Sequence, residues 1–394
     1  MPALPPDLSA LIGQPVAHID TPALVIDLDA MDRNITRMAQ YAQQHGVRWR
    51  PHAKLHKSVQ IAQWLERAGA HGHCVQKLSE AEALAKGGIR DLYISNQIIA
   101  PHKLARVAQL ALQLHAQGGR LALAVDHLEG IARLAQAMQH AGAGDNAIDV
   151  LVEINVGQNR CGVAPGAAAV TLVQAIVQHP MLRFAGLQAY HGGAQHLRTP
   201  AQRQAAIGQA LAHVRTTQAA FDAAGMAIPL VTGAGTGSFV HEATSGIYGE
   251  LQAGSCLFMD ADYAANQPAP GQPLFEHALF VKTQVMSINT GHAVCDAGHK
   301  AHAIDSGLPT VHGLPAAQAL RVGNGGDEHG LLYPDAAAGN TRGCLPALGE
   351  ILWLIPGHCD PTVNLHPHMV GVRGGLTNGT VACIVSVDAR GALT

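Results

Sequence analysis

Apolar and polar positions along this chain follow two different rhythms. Residues 23–28 are a short apolar run with β-branched members, which predicts a strand. Met31, Ile35, Met38 and Ala42 then recur at helical spacing, with Asp29 placed to cap that helix. Strand-like runs follow near 47–49, 73–75, 92–94, 121–125, 148–154, 184–190, 229–232 and 251–254. Helical patterns at 79–86, 107–117, 128–141, 167–178 and 201–224 separate most of them. Eight strand–helix units over roughly 210 positions have the count and length of a (β/α)₈ barrel, with an open doubly wound sheet as the rival. The run at 23–28 is then spare, and it is expected to pair with a second domain.

Beyond Asp262 and Tyr263 the rhythm changes. Residues 266–273 are rich in Pro, Gly and Gln and read as a linker. Short β-rich runs follow at 279–281, 285–288, 293–296, 351–355, 369–372 and 381–387. The expected fold is therefore α/β: a (β/α)₈ barrel plus a C-terminal all-β domain. Its expected parts are an N-terminal segment 1–28 pairing with the β domain, a barrel over 29–265, and a β-rich domain over 274–394.

Composition narrows the function. At 394 residues the chain is long for a single core, so two domains are expected. The 25 basic and 28 acidic residues give a net charge of -3, which argues against nucleic acid as a partner. The opening 1–6 has no charged leader, and no run approaches the roughly 20 apolar residues of a membrane span. A cytoplasmic protein is expected. The seven cysteines are scattered without a Cys-x-x-Cys pair, which favours free thiols over disulfides or a zinc knuckle.

Barrel enzymes work at the C-terminal ends of their strands. The first such end carries Arg50-Pro51-His52-Ala53-Lys54-Leu55-His56-Lys57. An amine held dry there among other cations can be depressed enough to attack an aldehyde; alone, the stretch is also a plain basic turn. The segment 232–238 is Gly-rich and precedes a short helix, so its backbone N–H groups suit an anion or phosphate. Its spacing matches neither a Walker loop nor the dinucleotide fingerprint. Arg160, in Gly157-Gln158-Asn159-Arg160-Cys161-Gly162, could hydrogen-bond a phenolate or carboxylate, though a surface cation is the commoner meaning. In the second domain His358 and Asp360 are two apart; in an extended segment they face one way and Cys359 the other. One imidazole and one carboxylate suit Mn²⁺ or Mg²⁺ better than structural Zn²⁺. Asp327-Glu328-His329 is a second, ambiguous polar cluster.

These pieces in this order resemble the D-threonine aldolase and D-serine dehydratase family, pyridoxal-phosphate enzymes with the alanine-racemase-type barrel. The motifs are Asp20-Thr21-Pro22-Ala23, Arg50-Pro51-His52-Ala53-Lys54, Ser79-Glu80-Ala81 and Gly186-Leu187-Gln188-Ala189-Tyr190-His191-Gly192. Gly235-Thr236-Gly237-Ser238, Leu251-Gln252-Ala253-Gly254-Ser255, Gly326-Asp327-Glu328-His329 and His358-Cys359-Asp360-Pro361-Thr362 continue them. The resemblance spans roughly 18–390 and is specific because so many motifs fall in register.

The resemblance implies residue roles. Lys54 matches the lysine that forms the Schiff base with pyridoxal 5'-phosphate, and Arg160 the arginine near the cofactor's phenolic oxygen. Tyr190, Thr236, Gly237, Gly254 and Ser255 match positions around the phosphate. His358 and Asp360 match the metal pair; His-x-Asp is similar to the aldolase branch with Mn²⁺ (Mg²⁺ or Co²⁺ as alternatives), whereas His-x-Cys with zinc marks the dehydratases. His196 matches a histidine near the metal that takes the β-hydroxyl proton. The implied activity is aldolase cleavage of D-3-hydroxy amino acids, D-threonine to glycine and acetaldehyde. The alternatives are a D-3-hydroxyaspartate aldolase, a D-serine or D-3-hydroxyaspartate dehydratase, a racemase in which the metal pair has no task, and a non-catalytic cofactor carrier. A head-to-tail homodimer is implied, with Asp327 a candidate to reach across it.

Overall fold

The computed structural model describes residues 6–394, so most of the Pro-rich opening read above lies outside the described residues. The first strand, β1 (Ala23–Asp27), leads into a helix over Leu28–Gln44. Eight parallel strands follow: β2 (Arg48–Trp49), β3 (His73–Val75), β4 (Asp91–Ile94), β5 (Arg120–Val125), β6 (Ile148–Glu153), β7 (Leu182–Ala189), β8 (Val231–Gly233) and β9 (Glu250–Leu251). They pair in the order β2-β9-β8-β7-β6-β5-β4-β3. A parallel bridge between His52 and Cys74, with Cys74 N donating to Pro51 O at 3.0 Å, joins the two ends into a barrel. The open doubly wound sheet is thereby excluded.

The barrel forms here because its strands are buried on both faces, which demands near-continuous apolar runs. The outer face packs on helices such as Leu128–His140, whose Ile131, Leu134, Ala135 and Met138 are buried at helical spacing. The inner face is filled by Cys74, Tyr93, Ala124 and Leu151. The helix 107–117 of the sequence reading starts earlier, at Pro101, because a proline suits the first turn.

The second sheet is built from β10 (Leu279–Asn289), β11 (His292–Cys295), β12 (Thr310–Val311), β13 (Leu320–Asn324), β14 (Gly330–Pro334), β15 (Ile351–Ile355), β16 (His368–Arg373) and β17 (Thr380–Ser386). The two runs read at 279–281 and 285–288 are one strand, β10, with a register shift between Val285 and Ser287. β12, β13 and β14 gave no readable pattern, being short or interrupted by Gly.

β1 sits at the centre of this sheet, antiparallel to β10 (Ala23 opposite Lys282) and parallel to β16 (Val25 opposite Val370). The helix Leu28–Gln44 is capped by Asp27, whose Oδ1 accepts from Asp29 N and Ala30 N at 3.0 Å each. Asp29, expected to be that cap, lies inside the first turn and pairs with Arg373 at 2.8 Å. Residues 266–273 are pinned rather than loose: Gln267 N donates to Arg198 O at 2.9 Å and Gln267 O accepts from buried Arg203. Among the described residues no helix is long and apolar enough to cross a membrane, and all seven cysteines are free thiols.

Candidate active site

Lys54 lies in a 3₁₀ turn, Ala53–Leu55, just beyond β2, where His52 Nδ1 accepts from Lys54 N at 3.4 Å. The turn opens into a cavity of about 250 Å³ at the C-terminal ends of the barrel strands. Lys54 is deep below the protein surface, yet 43% of its side chain stays open to that cavity. Its Nζ is 3.2 Å from Asp360 Oδ2, so a barrel lysine and a β-domain carboxylate form one ion pair. The amine is therefore raised above its ordinary range: Asp360 outweighs both burial and Arg160. The sequence reading expected depression by neighbouring cations; the carboxylate, remote in sequence, reverses it.

Arg160, Tyr190, Thr236, Gly254 and Ser255 line the same cavity. The Arg160 guanidinium lies 5.6 Å from the Tyr190 ring centre. Arg160 projects from a turn in which Gly157 and Asn159 have positive φ (121° and 57°), the conformation that Gly and Asn tolerate best. Burial pushes the Tyr190 phenol up, with Lys54 and Arg160 pulling the other way.

The Thr236 and Ser255 N–H groups find no acceptor among the described residues. Gly254 is required by space, since a Cβ there would lie 2.7 Å from His52 O. A crowded, Gly-lined cup with free N–H groups, a guanidinium and a lysine is a good match for a phosphorylated aldehyde. Gly237 stands apart from this cup. Its N–H is committed to Gln195 Oε1 at 2.9 Å, and it does not line the cavity.

The helix Cys359–Leu365 starts immediately after His358, which is its N-terminal cap. His358 and Asp360 do face each other, Nε2 to Oδ1 at 3.9 Å, but through a cap and a first helical turn rather than the expected extended segment. Cys359 points away and is fully buried. His358 Nδ1 is 2.7 Å from Asp305 Oδ2, which leaves Nε2 directed toward Asp360. Burial pulls the His358 imidazole down, but Asp360 and Asp305 hold it above its ordinary range. Asp360 Oδ1 is buried with no hydrogen-bond partner, as an oxygen reserved for a cation would be. Among the described residues no third His, Cys, Asp or Glu completes a metal cluster, so the remaining ligands would be water or substrate.

His196 does not line the cavity. Its Nδ1 is 2.5 Å from Asp262 Oδ2, and its ring lies 5.9 Å from that of Tyr263, which does line it. Asp327 is exposed on a turn outside the cavity.

Several lining residues had no role assigned from sequence: His52, Gln76, Ser95, Gln188 and Gln252. Gln188 Oε1 accepts from Tyr93 OH at 3.0 Å and from Gln252 Nε2 at 2.7 Å. His52 Nε2 meets Gln76 Nε2 at 3.0 Å, and burial first, then Lys54, keeps His52 well below the ordinary imidazole range. The alternation along strands could have found two of them, since Gln188 and Gln252 stand two residues before Tyr190 and Gly254.

A (β/α)₈ barrel with a lysine and an anion cup at its C-terminal mouth, followed by a separate β domain, has the layout of the alanine-racemase-type barrel proteins. Residues 26–262 match the family described as alanine racemase, N-terminal domain, and 278–372 the putative serine dehydratase domain. The chain belongs to this two-domain alanine racemase/serine dehydratase family. It is 42% identical to a 3-hydroxy-D-aspartate aldolase of Paracoccus denitrificans (strain Pd 1222), covering 98% of this chain and 96% of that protein. A D-threonine aldolase of Arthrobacter sp is 41% identical over 99% of this chain and 97% of that one. The crystal structure of D-threonine aldolase from Filomicrobium marinum superposes with a TM-score of 0.90 at 47% identity, covering 97% of this chain and 99% of that one.

Proposed function

We propose that this protein is a pyridoxal-phosphate-dependent, divalent-metal-dependent aldolase that cleaves D-3-hydroxy amino acids, D-threonine to glycine and acetaldehyde being the leading case. One observation carries the reading: Lys54 Nζ lies 3.2 Å from Asp360, whose other oxygen faces His358. A carbonyl-holding amine and a cation-binding pair thus meet at one point. A racemase has no task for that pair. D-3-hydroxyaspartate is the sister substrate, since relatives of both names are more than 40% identical to this chain.

Pyridoxal phosphate would supply the electron sink for Cα–Cβ cleavage, and a metal such as Mn²⁺ the Lewis acid for the β-hydroxyl. In this reading Lys54 would hold the cofactor's aldehyde, and Arg160 would supply a guanidinium for its phenolic oxygen. Thr236 and Ser255 direct N–H groups to the phosphate, while Tyr190 and Gly254 wall the cup. His358 and Asp360 hold the cation, with Asp305 fixing the imidazole. Asp262 orients His196 through Nδ1, leaving Nε2 to take the β-hydroxyl proton directly or through one water. The protein is further read as a cytoplasmic homodimer, with the exposed Asp327 reaching toward the partner.

The test is product analysis of D-threonine and D-3-hydroxyaspartate with pyridoxal phosphate and Mn²⁺, with and without EDTA. Glycine plus an aldehyde, lost with EDTA and restored by Mn²⁺, is the expected result. 2-Oxobutanoate and ammonia from D-threonine would replace the aldolase by a dehydratase.

A further inference from the structure

Gln195 is buried, in the 3₁₀ turn Gly192–His196, and it is the residue just before His196. Its Nε2 donates to Ser238 Oγ at 2.8 Å and to His191 O at 3.2 Å. Its Oε1 accepts from Gly237 N at 2.9 Å. The amide's orientation is set by two backbone groups: Gly237 N–H can only donate and His191 C=O can only accept, so Oε1 faces Gly237 and Nε2 faces His191. Ser238 Oγ lies in turn 2.8 Å from buried Glu242 Oε1.

Both glycines of Gly235-Thr236-Gly237 are small on account of this one residue, Gly235 against its side chain and Gly237 against its main chain. A Cβ on Gly235 would lie 2.4 Å from Gln195 Oε1, and one on Gly237 2.5 Å from Gln195 O. By taking the Gly237 N–H, Gln195 draws that residue out of the cup. Thr236 is left facing the cavity with its own N–H free. The Gln195 main chain is fixed as well: its carbonyl accepts from Asn266 Nδ2 at 2.8 Å, and Asn266 Oδ1 accepts from Arg198 at 2.8 Å. Arg198 in turn pairs with Asp262, which holds His196.

We infer that Gln195 is a positioning residue for the cofactor's phosphate: it touches no ligand itself, and it sets the loop that presents Thr236 to the anion. This rests on the reading that the cup holds the phosphate of pyridoxal phosphate. The test uses two ligands without an aldehyde, so that Lys54 chemistry does not enter. These are 4-deoxypyridoxine 5'-phosphate and 4-deoxypyridoxine, titrated calorimetrically into the apoprotein. Gln195→Met keeps length and apolar bulk but removes all three side-chain hydrogen bonds. It is expected to cut the preference for the phosphorylated ligand by about 10- to 100-fold. Affinity for the phosphate-free ligand should stay within about 3-fold of wild type. Ser238→Ala removes one link of the chain and should lose part of the same preference; it serves if Gln195→Met fails to fold. An unchanged preference, or equal weakening of both ligands, overturns the inference. If wild type shows no preference for the phosphorylated ligand, the phosphate reading of the cup falls, and the inference with it.

Discussion

Lys54 and Asp360 are 306 positions apart in sequence and 3.2 Å apart in space, one at the end of a barrel strand and the other in the first turn of a β-domain helix. Their ion pair joins the two domains at the point where chemistry is proposed. Asp360→Ala should leave the yellow absorbance of the lysine-bound cofactor in place. Turnover of D-threonine should fall by at least about 100-fold, and added Mn²⁺ should not restore it. Absorbance and glycine formation, read on the same sample, check this; near-normal turnover would remove Asp360 from the site.

Gly254 has an ordinary φ of -114°, so the objection to a side chain there is space alone. Gly254→Ala would press a methyl against the His52 carbonyl, which the barrel holds fixed. A loss of roughly 1–3 kcal/mol in stability is expected, together with weaker pyridoxal phosphate binding. Gly208→Ala is the control: it lies in the helix Pro200–Ala223 with nothing near its Cβ, and it should gain up to about 1 kcal/mol. Urea denaturation of both variants would show the opposite signs, and equal signs would count against the steric argument.

Arg203 is fully buried and donates to Leu197 O at 2.6 Å, to Arg198 O at 3.1 Å and to Gln267 O. It ties the segment after His196 to the stretch between the domains. Arg203→Met leaves these carbonyls without their donor, at an expected cost of about 3 kcal/mol. A midpoint in urea indistinguishable from wild type would show that water replaces the guanidinium.

Burial pushes the Glu242 carboxyl up to about 7, against the pull of the Ser238 hydroxyl. From an ordinary 4.5, the folded state keeps the proton longer than the unfolded state. Stability therefore falls as pH rises from about 4.5 through 7 and is level above that, by roughly 3 kcal/mol over the full shift. Glu242→Gln cannot ionise. It should raise the melting temperature at pH 8 and change it little at pH 5, where the carboxyl is already neutral. An equal shift at both pH values would mean that Glu242 is not neutral in the fold at pH 5.

The barrel was legible from local sequence because parallel strands covered on both faces are near-continuous apolar runs, as in the middle of β5 and β6. The end that carries the cavity was legible because strand ends are fixed once strands are fixed, which brought Lys54, Arg160 and the loop at Gly235–Ser238 into view. What stayed hidden lies in the side-chain partnerships. Lys54 looked like an amine among cations, and a carboxylate from the second domain gave it the opposite environment. Gly237 looked like a phosphate ligand, and Gln195 had already taken its N–H. Asp305 behind His358 and Asp262 behind His196 carried no local signal at all, being 53 and 66 positions away from their partners. Periodicity and strand ends are short-range properties, readable within a dozen residues. Charge environment and hydrogen-bond partnership depend on which distant segments the closed barrel and its β domain bring within 3 Å of each other.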